Sequence, residues 1–313
     1  MVKVLNDSLF RPVDPSKLQT DEIQRPSLGV FKETLFSILK NKLAIIGLFL
    51  LVVIIFLALF GPSMVPYSGS QQNLTNVNKA PSGEHWFGTD NLGRDMWSRT
   101  WQGARVSLTI GFIAAIVDLV VGVIVGGVSG YMAGRGKFGD RVDSLLMRIV
   151  EILYGIPYLL VVILLMVIME PGITTIIIAL SITGWVGMAR IIRGQILLLK
   201  SQEYVLAAEK LGTSHVKIIM RHLLPNTMGI IIINLTFTIP TAIFAEAFLS
   251  FLGLGVQAPF ASWGTMANDS LGVILSGHWW RLFFPGFMIA LTMFAFNAFG
   301  DGIQDALDPR ARK

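Results

Sequence analysis

Cysteine is missing from all 313 residues, which excludes disulfides and thiolate metal sites. Charge is scarce as well: 14% of residues are charged against 53% hydrophobic, and a mean hydropathy of +0.65 is too apolar for a soluble globule. The four histidines, His85, His215, His222 and His278, have separations that fit no metal-ligand pattern, so no metal is expected. No GxxxxGK sequence followed by Ser or Thr is present, so the chain itself should bind no ATP. No internal repeat is visible, which argues against an inverted-repeat secondary transporter, and no repeated pore-loop sequence supports a channel. A net charge of +5 and a pI near 9.5 bring nucleic acid to mind, but no basic, aromatic-interleaved soluble domain exists to bind it.

What is present is a set of long apolar runs. Leu43 to Phe60 carries no charge and, at about 1.5 Å per residue, extends roughly 27 Å, close to the apolar thickness of a bilayer. The same length test gives five further spans: Val106 to Met132, Ile149 to Met169, Gly172 to Ala189, Thr227 to Phe251 and Leu282 to Phe299. The runs are continuously apolar rather than alternating, so the fold class is an all-α integral membrane protein with six transmembrane helices. No cleavable signal peptide is expected: the first forty-two residues are polar and interrupted by Pro12, Pro15 and Pro26, which leaves the first span as an uncleaved anchor.

This topology puts twenty lysines and arginines on one side and five (Lys79, Arg94, Arg99, Arg105 and Arg281) on the other. By the positive-inside rule both termini are cytoplasmic. The chain then divides into an N-terminal cytoplasmic segment, 1–42, with a short interfacial helix at Ser27 to Lys40; the first span, 43–60; an external segment, 61–104; a core of five spans, 105–302; and a cytoplasmic tail, 303–313. Trp86, Phe87, Trp97 and Trp101 suit a membrane–water interface. Gly122, Gly126, Gly130 and Gly134 recur every fourth residue, a flat helix face for close packing; packing within the chain is favoured over a dimer seam. Glu170-Pro171 reads as a tight turn and Leu252 to Arg281 as a thirty-residue external loop.

A polar, basic loop, 190–226, interrupts the core. After Arg190 and Arg193, a short helix fits Glu203 to Leu211, closed by Gly212. Tyr204, Ala207, Ala208 and Leu211 follow i, i+3, i+4, i+7 spacing, a narrow stripe able to enter a groove on a partner. A second basic helix, Ser214 to Leu223, returns to the membrane, and Pro225 breaks it before the fifth span. On pattern alone, an interfacial hairpin facing lipid head groups accounts for the loop equally well.

AAEKLG, nine residues, then HLLPN resembles the cytoplasmic loop motif of bacterial ABC importer permeases: Glu-Ala-Ala, three residues, Gly, nine residues, Ile-x-Leu-Pro. Ala207, Ala208, Gly212, Leu224 and Pro225 match at that spacing, while Leu206 replaces the glutamate and His222 the isoleucine. Arg221-His222 before Leu-Leu-Pro-Asn is similar to the peptide-importer branch, and Glu203, one turn before Leu206, is the alternative acid. HWFGTDNLGRDMWSRTWQGARVSL, EAFLSFLGLGVQAPFASWGTM and FNAFGDGIQDALDPR resemble stretches of the oligopeptide/dipeptide permeases, specifically the subunit with a long external segment after its first span. The resemblance implies a type I ABC importer permease fold and an ATP-driven importer. Its partners would be a second homologous permease, two cytoplasmic ATPases that bind ATP and Mg, an external peptide-binding protein, the peptide substrate and membrane lipid. This chain would hold no cofactor. The loop helix would couple to an ATPase through Glu203, Tyr204, Ala207, Ala208, Leu211, Gly212, Arg221 and Pro225. Oligopeptides are the first choice of cargo, dipeptides the second, with nickel chelates or glutathione as further alternatives.

Charges inside spans are costly and therefore candidates for function. Asp118, Glu151 and Glu246 are the candidates for the translocation path, where each could meet a substrate amine; a carboxylate bonded to a neighbouring helix, or exposed near the interface, is the plainer reading of each. Ser262 and Asp90 suit loop capping better than chemistry, and no Ser/His/Asp set is credible across opposite membrane faces, which leaves an intramembrane hydrolase as a remote rival.

Overall fold

The computed structural model describes residues 38–307. Most of the expected helix at Ser27 to Lys40 and residues 308–313 of the expected tail lie outside them. The described chain is helical throughout, with one isolated antiparallel bridge, Thr89 to Asp95. Five helical runs are long and apolar enough to cross a membrane, and a sixth results if one sharply bent pair counts as a single span.

Helix α1, Lys42–Phe60, starts at Asn41, whose side-chain oxygen accepts from the amides of Leu43 and Ala44 at 3.0 and 3.2 Å. Ala44, Gly47, Leu51, Ile54 and Ala58 form its buried edge, while Phe49, Val52 and Phe56 point outward, as lipid-facing residues do. That edge lies on α11, Trp280–Leu307, antiparallel to it: a methyl at Gly47 would come within 2.7 Å of the Ala295 carbonyl, and Asn41 donates to Asp305 at 3.1 Å.

Helix α2 runs Met96–Met132, 37 residues, and starts ten residues before the expected Val106. Asp95 caps it through the Ser98 amide at 2.8 Å, so the last part of the expected external segment is helix. Trp101 is buried within the chain, and Phe87 stacks on Phe284 at 3.7 Å.

The expected straight span Ile149 to Met169 does not occur. The chain forms α3, Gly136–Gly155, and α4, Tyr158–Met169, bent by 84°. Pro157 lacks an amide donor and pushes Ile156 into extended geometry (φ −82°, ψ 123°), so the helix stops and restarts. The tight turn at Glu170 is present: its carbonyl accepts from the Thr175 hydroxyl at 2.7 Å.

Helices α5, Ile173–Thr183, and α6, Trp185–Leu199, meet at Gly184 in helical geometry, making one run that ends ten residues beyond the expected Ala189. α7, Glu203–Lys210, and α8, His215–Ile218, follow. A widened π turn, Ile219–Leu223, then leads into α9, Leu224–Phe251. Pro225 therefore breaks nothing: it sits in the first turn of α9, where a missing donor is tolerated, and the π turn absorbs the misfit. The expected external loop Leu252 to Arg281 contains α10, Trp263–Asn268, capped by Ser262 and Thr265 bonding each other's backbone as the capping reading of Ser262 required.

The glycines of α2 pack within the chain. Methyls at Gly122 and Gly130 would lie 2.6 Å from Met188 Cβ and 2.8 Å from the Arg193 carbonyl, both on α6. Gly134 takes no part; it has left-handed geometry (φ +73°) just beyond the helix.

Candidate functional site

One end of the bundle collects the hairpin formed by α7 and α8, together with the C-terminal ends of α2 and α6. Glu203 in the first turn of α7 and Lys210 in its last both complement the helix dipole. A Schellman closure ends it: the Gly212 amide donates to the Glu209 carbonyl at 3.0 Å and the Thr213 amide to the Ala208 carbonyl at 3.1 Å, with Gly212 at φ +78°.

The expected docking stripe is split by the structure. Tyr204, Ala207 and Leu211 are exposed, Leu211 at 85%, whereas Ala208 turns inward. Ala208 pairs with Val205, which is 0% exposed and packs with Tyr131, Ile192, Ile196 and Ile218. α7 thus has two apolar edges, one holding it to its own chain and one facing away, and Leu206 at 46% exposure belongs to the free side.

Further residues hold the hairpin and the helix ends around it. Arg135, just past α2, forms an ion pair with Glu209 and lies over the Tyr131 ring at 3.9 Å. The Tyr131 hydroxyl and His215 Nδ1 are 2.7 Å apart. Lys200 donates to the carbonyls of Gly130 (3.0 Å) and Ala133, closing the C-terminal end of α2, and burial followed by repulsion from Arg135 holds its amine below its usual range. Arg193 forms a bidentate pair with Asp143 of α3, 2.7 Å at each oxygen. Arg221 is exposed and borders, with Leu211, Gly212 and Lys217, a surface hollow of about 430 Å³; Pro225 is exposed beside it.

The three intramembrane carboxylates separate sharply. Glu246 is 0% exposed and accepts from Ser107 at 2.8 Å and Ser250 at 2.7 Å, a polar joint between α2 and α9. Glu151 is exposed on α3 and faces Arg148, Arg190 and Arg193 across an open hollow. Asp118 is 6% exposed and lines a cavity of about 410 Å³ with Tyr158, Asn234, Thr238 and Thr241. Those last three recur along one side of α9 (i, i+4, i+7), a polar stripe that the sequence held in plain view.

At the opposite end, Asp90 accepts from the amides of Leu92 and Arg94, both at 2.9 Å, the loop-capping role expected of it. Trp97, Trp263 and Trp280 donate to the carbonyls of Gly61 (2.8 Å), Thr100 (3.0 Å) and Thr89 (3.1 Å), tying residues 61–95 to the helix ends. Among the described residues no group of three His, Cys, Asp or Glu is placed to hold a metal.

Comparison with known proteins agrees with this architecture. Residues 122–313 match the family described as binding-protein-dependent transport system inner membrane component, and residues 29–81 match the N-terminal TM domain of oligopeptide transport permease C. The chain is 59% identical over 94% of its length, and 90% of the relative's, to the dipeptide transport system permease protein DppC of Bacillus subtilis. It is 51% identical to that organism's oligopeptide transport system permease protein OppC over 98% of both chains. Identity to OppC of Haemophilus influenzae is 38%, over 93% of this chain and 92% of that one. Among solved structures, a chain of the inward-facing MetNI methionine ABC transporter superposes with a TM-score of 0.51 at 19% identity, covering 64% of this chain and 94% of that one, a likeness of fold. The helical spans and the sequence matches together place the chain in the family of binding-protein-dependent transport system inner membrane components, as a membrane permease subunit of an ABC importer and not itself an enzyme.

Proposed function

We propose that this chain forms half of the translocation pathway of a bacterial plasma-membrane importer for oligopeptides. Its companions in this reading are a second, homologous permease, two cytoplasmic ATPases that bind ATP and Mg, and an external peptide-binding protein. It spans the membrane six times, the bent pair α3 and α4 counting as one, with both termini cytoplasmic; the twenty-to-five distribution of basic residues supports that orientation.

The observation that carries the reading is the hairpin of α7 and α8. One edge is locked by Val205, Ala208 and the Arg135–Glu209 pair, and the other leaves Tyr204, Ala207 and Leu211 uncovered on a short, well-closed helix. An ATPase groove would receive that free edge. Because the helix is clamped to α2 and α6, a displacement of the docked edge reaches the spans directly. Glu203 and Arg221, both exposed, would meet the ATPase surface beside it, while Gly212 shapes the end of the helix and Pro225 the entry into α9.

The test uses single cysteines in the otherwise cysteine-free chain, within the assembled importer. Leu211→Cys should cross-link to an ATPase subunit and Val205→Cys should not; an importer that takes up peptide while Leu211→Cys gives no cross-link would overturn the docking claim. Dipeptide cargo is the second reading, favoured by the 59% identical relative named for dipeptide transport. ATP-dependent uptake of di-, tri- and pentapeptides by the reconstituted complex separates the two.

A further inference from the structure

Asp118 is the one charged residue among those that line its cavity. The Asp118 Oδ1 atom is buried without any hydrogen-bond partner, and no lysine, arginine or histidine lines the cavity. Asn234 donates its amide to the Ile230 carbonyl at 2.9 Å, Thr238 its hydroxyl to the Asn234 carbonyl at 2.8 Å, and Thr241 its hydroxyl to the Phe237 carbonyl at 2.8 Å. The two threonine hydroxyls, their hydrogens committed to the helix, offer lone pairs to the cavity, and the Asn234 amide can offer its carbonyl oxygen. Tyr158, whose hydroxyl is also buried without a partner, and Thr183 bring further hydroxyls to the lining. The carboxylate also has space reserved for it: a methyl at Gly184 would come within 2.6 Å of Asp118 Cγ.

A buried acid with no counter-charge is costly, and a carboxylate with threonine lone pairs near it favours a cation over an anion. An ammonium group, three donors and no acceptor, satisfies such a site. We propose that the Asp118 cavity is a cation subsite that takes the ammonium group of the transported peptide on its way through the permease. Asp118 supplies the charge, and Asn234, Thr238 and Thr241 supply the remaining acceptors. This deepens the import reading above and rests on it for the identity of the ligand, though not for the cavity's preference for cations.

The experiment has two arms, both in the complete importer. In the first, Thr241→Cys is treated with an ammonium-bearing and with a sulfonate-bearing thiosulfonate reagent, and modification is read from the mass of this chain, with rates normalised to a free thiol. The ammonium reagent should react at least about tenfold faster, the ratio that 1.4 kcal/mol of preference produces, and Asp118→Asn should bring the ratio near one. Equal normalised rates with Asp118 intact would overturn the cation subsite.

In the second arm, uptake of a free-amine peptide is followed at saturating loaded binding protein. Asp118→Asn should lower the maximal rate at least about tenfold, leaving the half-saturating concentration of binding protein unchanged. Undiminished uptake would refute the peptide ammonium as occupant. A wild-type complex that takes up no peptide would instead refute the import reading, and the first arm still reads the cavity.

Discussion

Replacing Gly126 and, separately, Gly127 by alanine asks whether α2 and α6 are held together by direct backbone approach. Both changes remove the same conformational freedom from the same helix, worth about 0.8–1 kcal/mol in alanine's favour. They differ in what the new methyl meets. At Gly126 it would lie 3.0 Å from the Cα and from the carbonyl carbon of Ala189, and nearer still to the oxygen; at Gly127 nothing lies within 4 Å. Carbon atoms sit best about 3.5–4 Å apart, so the helices must separate by roughly 0.5–1 Å at their tightest point. Overpacking of that kind costs about 1–3 kcal/mol. Gly126→Ala is therefore expected to lose about 0–2 kcal/mol net and Gly127→Ala to gain up to about 1 kcal/mol. The assay heats the purified complex and follows the fraction that stays monodisperse, comparing midpoints for the two variants. Equal midpoints, or a lower one for Gly127→Ala, would refute close approach as what holds this helix pair.

Three further outcomes follow from the same geometry. Arg135→Glu or Glu209→Arg alone should raise hydrogen exchange across 203–213, and the double exchange should restore protection; the side chains are 25% and 27% exposed, so the pair is worth about 1 kcal/mol or less and global stability should barely move. Gly212→Val places a branched side chain at φ +78° and should cost about 1–2 kcal/mol of local stability, seen as faster exchange in α7, with Gly212→Asn milder. Glu246→Leu strands the hydroxyls of Ser107 and Ser250, at about 1–3 kcal/mol for each hydroxyl left unsatisfied, so the yield of assembled complex should fall while the peptide preference of what remains is unchanged. An altered preference would put Glu246 on the translocation path.

The spans were legible in the sequence because an uncharged run of bilayer length is seldom anything but a membrane crossing, and the Gly212 closure because left-handed geometry favours glycine. The 84° break was signalled by Pro157, but the apolar run that follows, Leu159 to Met169, masked it. The facing of α7 was not legible, since Val205–Ala208 and Tyr204–Ala207–Leu211 are both apolar at helical spacing; only contact with α2 and α6 decides which edge turns inward. Asp118, Glu151 and Glu246 were equivalent in the sequence for a similar reason. Ser107, which joins Ser250 in bonding Glu246, lies 139 positions away, and the α9 stripe that completes the Asp118 cavity begins more than a hundred residues beyond Asp118.

At 37 residues, α2 is about 55 Å long, nearly twice the apolar thickness of a bilayer. It is gripped at both extremities, by the Asp95 cap and the Trp263 bond to Thr100 at one and by Lys200, Tyr131 and Arg135 at the other. A rod fixed in this way works as a push-rod rather than a hinge. In the importer proposed above, arrival of cargo at one end of α2 and a nucleotide event at the other would act on a single body, so neither end could change state in private.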